Sequence, residues 1–567
     1  MKNVFIAIGG SGTKVAEALV RLLAIGFPTR KENGVLTSAG DTLQIWRIDP
    51  DRSSGAAVAL QNCLKEYGEL QKHLNDNPAP PNIASSRWAM DIDMRVRNLD
   101  PLQLPRATDN DNEIRTLAGV LDSQYSGKKS SLPLLEPFYK QKDLEVTIDR
   151  GFYQKPFIGS AVMAIFAHSL GDENSPGGRE ASLTAFNNNQ ANFFLCGSLH
   201  GGTGASGVPI TGKFLGSRKK ANPHWGWRVG ACLLAPYCVP PQPPFKALSD
   251  DEPIDDRMVE ALLQRHNDEP AFAALTQDEE KRDLIKQILR GFYADPEDME
   301  ARARQGLAYY KDHSADYFDE LYLVGKPEPD KLNVWSNGGN SQSNPLNSAE
   351  VVAALAALNF FSVSNTGNPQ SYMIGSSTGD LDSSKMNLHH LPPYKLSGND
   401  GGDEIDPEKV FLATALLHHL LRHQIRWEIE AKRWSGIEGL RSLYKDNEAK
   451  KTADQSYYGS ATTYLARFMM SLVDPRVTVG WHGSDAAQLY PLLSDDPAIV
   501  KDVSAKLAKK FGFGKEAKGV VSLGHSSLKV STVEFGDWSP PGGQFTRGEY
   551  LRYVWSQLFA RSHTPAV

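Results

Sequence analysis

Cysteine is scarce in this chain, with four in 567 residues, at Cys63, Cys196, Cys232 and Cys238, and no CxxC pair among them. That sparsity excludes a disulfide scaffold and a thiolate zinc knuckle, and it fits a reducing, cytoplasmic setting. Long apolar runs are also missing: no stretch of about eighteen or more hydrophobic residues occurs, so no membrane span is expected. A positive excess is absent too. The formal charge is −6, which argues against a surface tuned to the nucleic-acid backbone and favours a nucleotide or protein partner. The opening MKNVFIAIGG has a short apolar run ending in glycines and no cleavage-site pattern, so it reads as a first strand and not as a signal peptide. Internal repeats and low-complexity tracts are lacking as well.

What is present is an ordinary globular composition, 40% hydrophobic and 23% charged, at a length that one core rarely supports. Two or three packed domains are expected. Val4–Ile8 is an apolar, β-rich run followed by Gly9-Gly10-Ser11-Gly12-Thr13 and then by Val15, Ala16, Leu19, Leu22 and Leu23 at helical spacing, which spells strand, tight turn, helix. Leu43–Ile48 is a second strand ending in Asp49-Pro50-Asp51, two carboxylates at a strand tip. Strands are also expected at Leu144–Ile148, Ala191–Cys196, Trp227–Leu234 and Leu321–Val324, and helices at Ile158–His168, Val208–Leu215 and Ser348–Phe361. Alternation of this kind predicts an α/β fold with a mainly parallel sheet covered on both faces.

The glycine-rich loops carry the chemistry. A phosphate needs several converging backbone N–H donors and the positive end of a helix, and glycine lets the backbone come close. Gly9–Thr13 meets this need, and Gly201-Gly202-Thr203-Gly204-Ala205-Ser206 repeats it between another strand and helix. Neither loop has the lysine and hydroxyl residue of a P-loop. A dinucleotide fingerprint would want glycine where Val15 stands and an acid about twenty residues on, nearer than Asp49, and a dinucleotide enzyme would leave the second loop unexplained.

At these residues the chain resembles the tubulin/FtsZ superfamily, and within it the large bacterial tubulin-like proteins. The second loop is similar to the GGGTGSG signature, with His200, Ala205 and Ser206 as departures, and the first is similar to the GGxGNN turn with Thr13 and Lys14 replacing the asparagines. The resemblance implies a tubulin-like, Rossmann-type GTPase domain over residues 1–365 that ends in a central helix and carries helical insertions at about 75–143 and 240–318. A second, helical or α+β domain over 366–567 would follow. It further implies GTP or GDP as ligand, with Mg2+ held mainly through phosphates and reached from Asp49 through water. Gln154 and Lys155 would lie by the terminal phosphate, and Asn344 or Asn347 by the guanine. Head-to-tail self-assembly into nucleotide-dependent filaments, a cytoskeletal role, is the implied mechanism. The alternative is a non-filamentous, nucleotide-gated switch or sensor subunit of a bacterial multi-protein or defence system that recruits a partner protein. The family's hydrolytic acidic loop after the central helix has no clear match, so GTPase chemistry is left open; Asp380 and Asp382 stand in about the right place.

Other residues have plainer readings. His389-His390, His418-His419 and His423 invite a metal, but without an HExxH glutamate they read as packing or surface residues, and no metal ligand is assigned. The basic cluster Lys213, Arg218, Lys219 and Lys220 closes a helix, where positive charge is favourable.

Overall fold

The structure is a computed structural model. It describes nearly all of residues 2–75, 137–326 and 344–362, together with 98–99, 116–123, 329–332, 335, 370–374, 391–396, 404–419, 423, 467–472 and 484–511. Seven parallel strands form the main sheet: β1 (Lys2–Ile8), β2 (Thr42–Ile48), β3 (Asn98–Leu99), β4 (Ala191–Ser198), β5 (Arg228–Leu234), β6 (Glu320–Val324) and β7 (Gln370–Ile374). Their spatial order is β7-β6-β5-β4-β1-β2-β3. The chain therefore starts in the middle, runs out to one edge through β2 and β3, and returns to the other side of β1 with β4. Such a reversal leaves a crevice at the carboxyl ends of β1 and β4, where ligands of open α/β sheets bind.

The helices that matter are α1 (Gly9–Ala24), α2 (Gly55–Asn75), α3 (Pro156–Gly171), α4 (Gly202–Ala221), α5 (Asp256–His266), α6 (Asp278–Leu289), α7 (Met299–His313), α8 (Ser348–Ser362), α9 (Pro407–His419), α10 (Ser484–Leu493) and α11 (Pro497–Phe511). Side chains alternate between the faces of the sheet. Phe5, Ala7, Phe194 and Cys196 belong to the core under α1, α2 and α8, whereas Val4, Ile6, Ile8, Phe193 and Leu195 belong to the core under α3 and α4. With both faces covered, β1 and β4 need apolar residues at successive positions, and this is why their sequences read as near-continuous hydrophobic runs. Helix α8 is almost wholly buried, and its alanines allow it to lie close to both the sheet and α1.

Three sequence expectations are corrected. Leu144–Ile148 is not a strand: a short helical turn covers Gln141–Leu144, set by the Lys140 N–H donating to Asp143 Oδ2 at 3.1 Å, and Thr147 only bridges to Thr116. Its alternating Val146 and Ile148 instead pack into the core with α3. The region 75–143, read as pure insertion, supplies β3, an edge strand too short to announce itself by periodicity. The helix expected from Val208 starts six residues earlier, so the glycines of the second loop form its first turn.

The sheet continues past residue 365 with β7, and Phe411, Phe468, Met469 and Leu489 join the same core as α1 and α8. The described C-terminal helices thus pack on the first domain's face. Helix α9 ends at His419 among the described residues. Residues 256–289 of the second insertion build a small core of their own around Val259, Phe272, Ile285 and Ile288, whereas Ala303 and Tyr310 of α7 pack into the core under α3 and α4. The basic cluster is structural: Lys219 pairs with Asp319 at 2.5 Å, and Arg218 lies over the Phe186 ring at 4.8 Å.

Candidate phosphate-binding site

Helices α1 and α4 rise directly from the adjacent strands β1 and β4, so their first turns sit side by side at the switch point. The two turns touch. Gly9 has φ +75°, and a Cβ there would stand 3.2 Å from Thr203 Cβ and 3.4 Å from the Gly204 nitrogen. Neither helix has a side-chain N-cap, and neither carries an acid in its first turn. Each therefore presents backbone N–H groups and a positive dipole end without an internal anion to answer them. Two uncompensated helix starts aimed at one space form a site for an anion with several oxygens.

That space is a cavity of about 230 Å³. Gly9, Gly10, Ser11, Gly201, Gly202, Thr203 and Gly204 line one wall, and Asp49, Gln154 and Asn344 line others. Four assigned residues do not reach it. Gly12 is pressed on the sheet, where a Cβ would meet the Cys196 carbonyl oxygen at 2.4 Å. Thr13 is fully buried and donates to the Gly9 carbonyl at 2.9 Å. Ser206 donates to the Gly202 carbonyl at 2.7 Å and packs against Gly159, and Ala205 lies outside the lining. Their positions follow from the early start of both helices, which turns every third or fourth residue inward. Asp380 and Asp382 lie outside the described residues.

The acidic corner is Asp49 with Asp51, both buried and both on the cavity. Burial pushes the Asp49 carboxyl up to about 7; the Arg47 guanidinium 3.7 Å away opposes this, and Asp51 adds to it. The Asp51 N–H donates to Asp49 Oδ1 at 3.2 Å. Two carboxylates offer oxygen donors only, a set that could hold a hard cation such as Mg2+.

The loop Gly151–Gln154 faces the glycines. Tyr153 and Gln154 have φ of 48° and 56°, a left-handed pair costly for non-glycine residues. Arg302 of α7 donates to the Gln154 carbonyl and so helps to hold this bend. Lys155, expected beside a phosphate, instead sits 5.4 Å over the Phe292 ring. Ala294 and Met299 also line the cavity, so the insertion reaches the site. His200 is buried there; loss of solvent and the charge of Arg302 push its imidazole down to about 4, so it is neutral at pH 7.

The opposite end is built on α8. Asn347 caps this helix: its Oδ1 accepts from the Ala349 N–H at 3.0 Å, while Glu350 Oε2 accepts from the Asn347 N–H at 2.7 Å, a reciprocal capping pair. Its Nδ2 donates to Asp330 at 2.7 Å, so Asn347 is engaged in the fold, and Asn344 is the freer of the two asparagines expected near a base. Glu350 is fully buried, and burial raises its pKa against the pull of Lys14. Lys14 lies 3.2 Å from Glu350 Oε1 and donates to the Pro345 carbonyl at 2.6 Å. Tyr237 Oη donates to Glu350 Oε1 at 2.7 Å and lies 3.2 Å from Ser11 Oγ. The cation following the first loop is thus tied to the central helix, leaving the helix ends as the positive pole of the cavity.

Sequence reasoning missed His200, Tyr237, Met299 and Arg302 as site residues. Only His200 carried a local signal, its place beside the second glycine loop. Comparison with protein-family models and with curated proteins finds no match for this chain.

Proposed function

We propose that this protein binds a guanine nucleotide in the manner of the tubulin/FtsZ superfamily, its phosphates cradled between the first turns of α1 and α4. The observation that carries the reading is the convergence of two uncapped, acid-free helix starts on one cavity at the switch point. A strand order that begins centrally is shared by dinucleotide-binding folds, so the paired loops, and not the fold, support this reading. Asp49 and Asp51 would bind Mg2+ through water beside the phosphates, and Asn344 would face the base. Head-to-tail stacking into filaments is the mechanism that the resemblance implies.

A second reading, a nucleotide-gated switch that does not polymerise, is favoured by one feature: Ala294 and Met299 of the insertion stand on the cavity and Arg302 grips the Gln154 carbonyl, so part of the surface around the nucleotide is occupied by the chain itself. Calorimetric titration with GTP, GDP and ATP, in parallel with sedimentation and phosphate release, tests both. Nucleotide-dependent pelleting supports the filament, and tight binding without pelleting supports the switch. No saturable binding of any nucleotide removes the proposal.

A further inference from the structure

At the end of the domain remote from the cavity, α9 packs against the last turn of α1: Phe411 meets Phe27 with ring centroids 5.4 Å apart, and Thr414 Oγ1 donates to the Ile25 carbonyl at 3.2 Å. One turn further on stands His418, buried, with its ring 5.8 Å from that of His423 and nearly perpendicular to it. Across from both is Asp495, in the link between α10 and α11. One ligand atom from each of His418, His423 and Asp495 falls within 4.8 Å of the other two. His423 Nε2 and Asp495 Oδ1 are 3.3 Å apart. Two donors on one tetrahedral zinc, each at about 2.0–2.1 Å, are separated by that same distance.

We infer that His418, His423 and Asp495 form a binding site for a zinc-class divalent cation that ties the end of α9 to the link between α10 and α11. Two imidazoles and one carboxylate are a donor set suited to zinc, and harder ions such as Mg2+ would prefer an all-oxygen set. Asp495 is exposed, with 64% of its side chain accessible, so the metal enters from solvent and a water completes the fourth position. His419 also has its ring close to His423, 5.4 Å between centroids, but its Nε2 lies 3.1 Å from Ser504 Oγ of α11 and is engaged there. The ligands are His418 and His423, five apart. The site stands apart from the glycine loops by the length of α1, about 24 Å at 1.5 Å per residue, so its role is to fix the C-terminal helices on the sheet.

The test uses the full chain, stripped of metal with a chelator and dialysed, then titrated with zinc chloride by calorimetry and with cobalt chloride by visible absorption. One zinc per chain is expected, with tetrahedral cobalt bands and a raised melting temperature. His423→Ala and Asp495→Asn should each weaken zinc by about 100-fold or more, since even the outer hydrogen-bond partners of metal ligands cost about 10–100-fold. His224→Ala, at an exposed histidine, should change nothing. If His423→Ala does not fold, Asp495→Asn at its exposed position carries the test. Absence of saturable zinc binding, or wild-type affinity in Asp495→Asn, would overturn the site and leave His423 and Asp495 as a simple side-chain contact.

Discussion

Gly10→Ala separates the phosphate cradle from the stability of the fold. A Cβ at Gly10 meets no atom within 4 Å, the residue lies in the first turn of α1, and its φ is not positive. Alanine there restricts the unfolded chain and should stabilise the protein by about 0.4–1 kcal/mol. The same methyl group enters the cavity, where a phosphate would approach the backbone. Losing one charge-assisted hydrogen bond, about 1.5–3 kcal/mol, weakens binding by about 10- to 150-fold. Gly12→Ala is the contrasting variant: its Cβ would lie 2.4 Å from the Cys196 carbonyl oxygen and 3.1 Å from the Ala7 carbonyl carbon, both main chain. Overpacking of that kind costs about 1–3 kcal/mol, so Gly12→Ala should melt lower. Gly202→Val, an obvious choice from the sequence, is a poor test because its Cβ would press on the Phe152 backbone at 2.7 Å. Thermal melts and GTP calorimetry on both alanine variants make the comparison. A Gly10→Ala protein that melts like wild type and binds GTP with unchanged affinity would refute the cradle.

Asp49 holds its proton more tightly in the folded state than its ordinary value of 3.8, so stability is full below about pH 4 and declines as pH rises toward 7. Asp49→Asn should remove that decline, which between pH 5 and pH 8 amounts to at most about 3 kcal/mol in the nucleotide-free protein; urea melts at the two pH values read it, and parallel slopes in variant and wild type would contradict it. Lys14→Met leaves Glu350 buried without its cation and should cost about 3–5 kcal/mol at pH 8, with a smaller loss at pH 5 where Glu350 can take up a proton. Chemical denaturation at both pH values measures the difference. Arg302→Ala frees the Gln154 carbonyl and should speed nucleotide release by about tenfold or more in stopped-flow displacement.

The sheet was legible where burial imposes a pattern. β1 and β4 lie at its centre with both faces covered, so hydrophobic runs and following glycines marked them without any partner sequence. Periodicity could not mark β3, which has two residues, nor stop Leu144–Ile148 from imitating a strand, because residues packing one-sidedly under α3 alternate just as a half-buried strand does. The glycine loops were legible as chemistry, yet the inward turn of Thr13 and Ser206 was not. Their hydroxyls look like phosphate donors until the helix is known to begin at Gly9 and Gly202, which commits them to carbonyls four residues back.

The insertion shows the deeper reason why some of the site stays hidden. Met299 and Arg302 sit about 100 residues beyond the second glycine loop on α7, whose buried Ala303 and Tyr310 pattern it for packing on the main core, so nothing in their spacing refers to the cavity. Only tertiary packing brings α7 to Gln154. In a stacked filament of the implied kind, the exposed face of a bound nucleotide meets the next subunit, and that contact supplies what a single subunit lacks. Here Ala294 and Met299 already stand at the cavity from within the same chain. A filament would have to accommodate the insertion at each interface, whereas a switch could use it directly, because nucleotide at the glycine loops and the grip of Arg302 on Gln154 act on the same bend. Arg302→Ala therefore distinguishes the two: faster release with no change in sedimentation belongs to a switch, and a new nucleotide-dependent pellet would mean that the insertion had been holding a stacking surface closed.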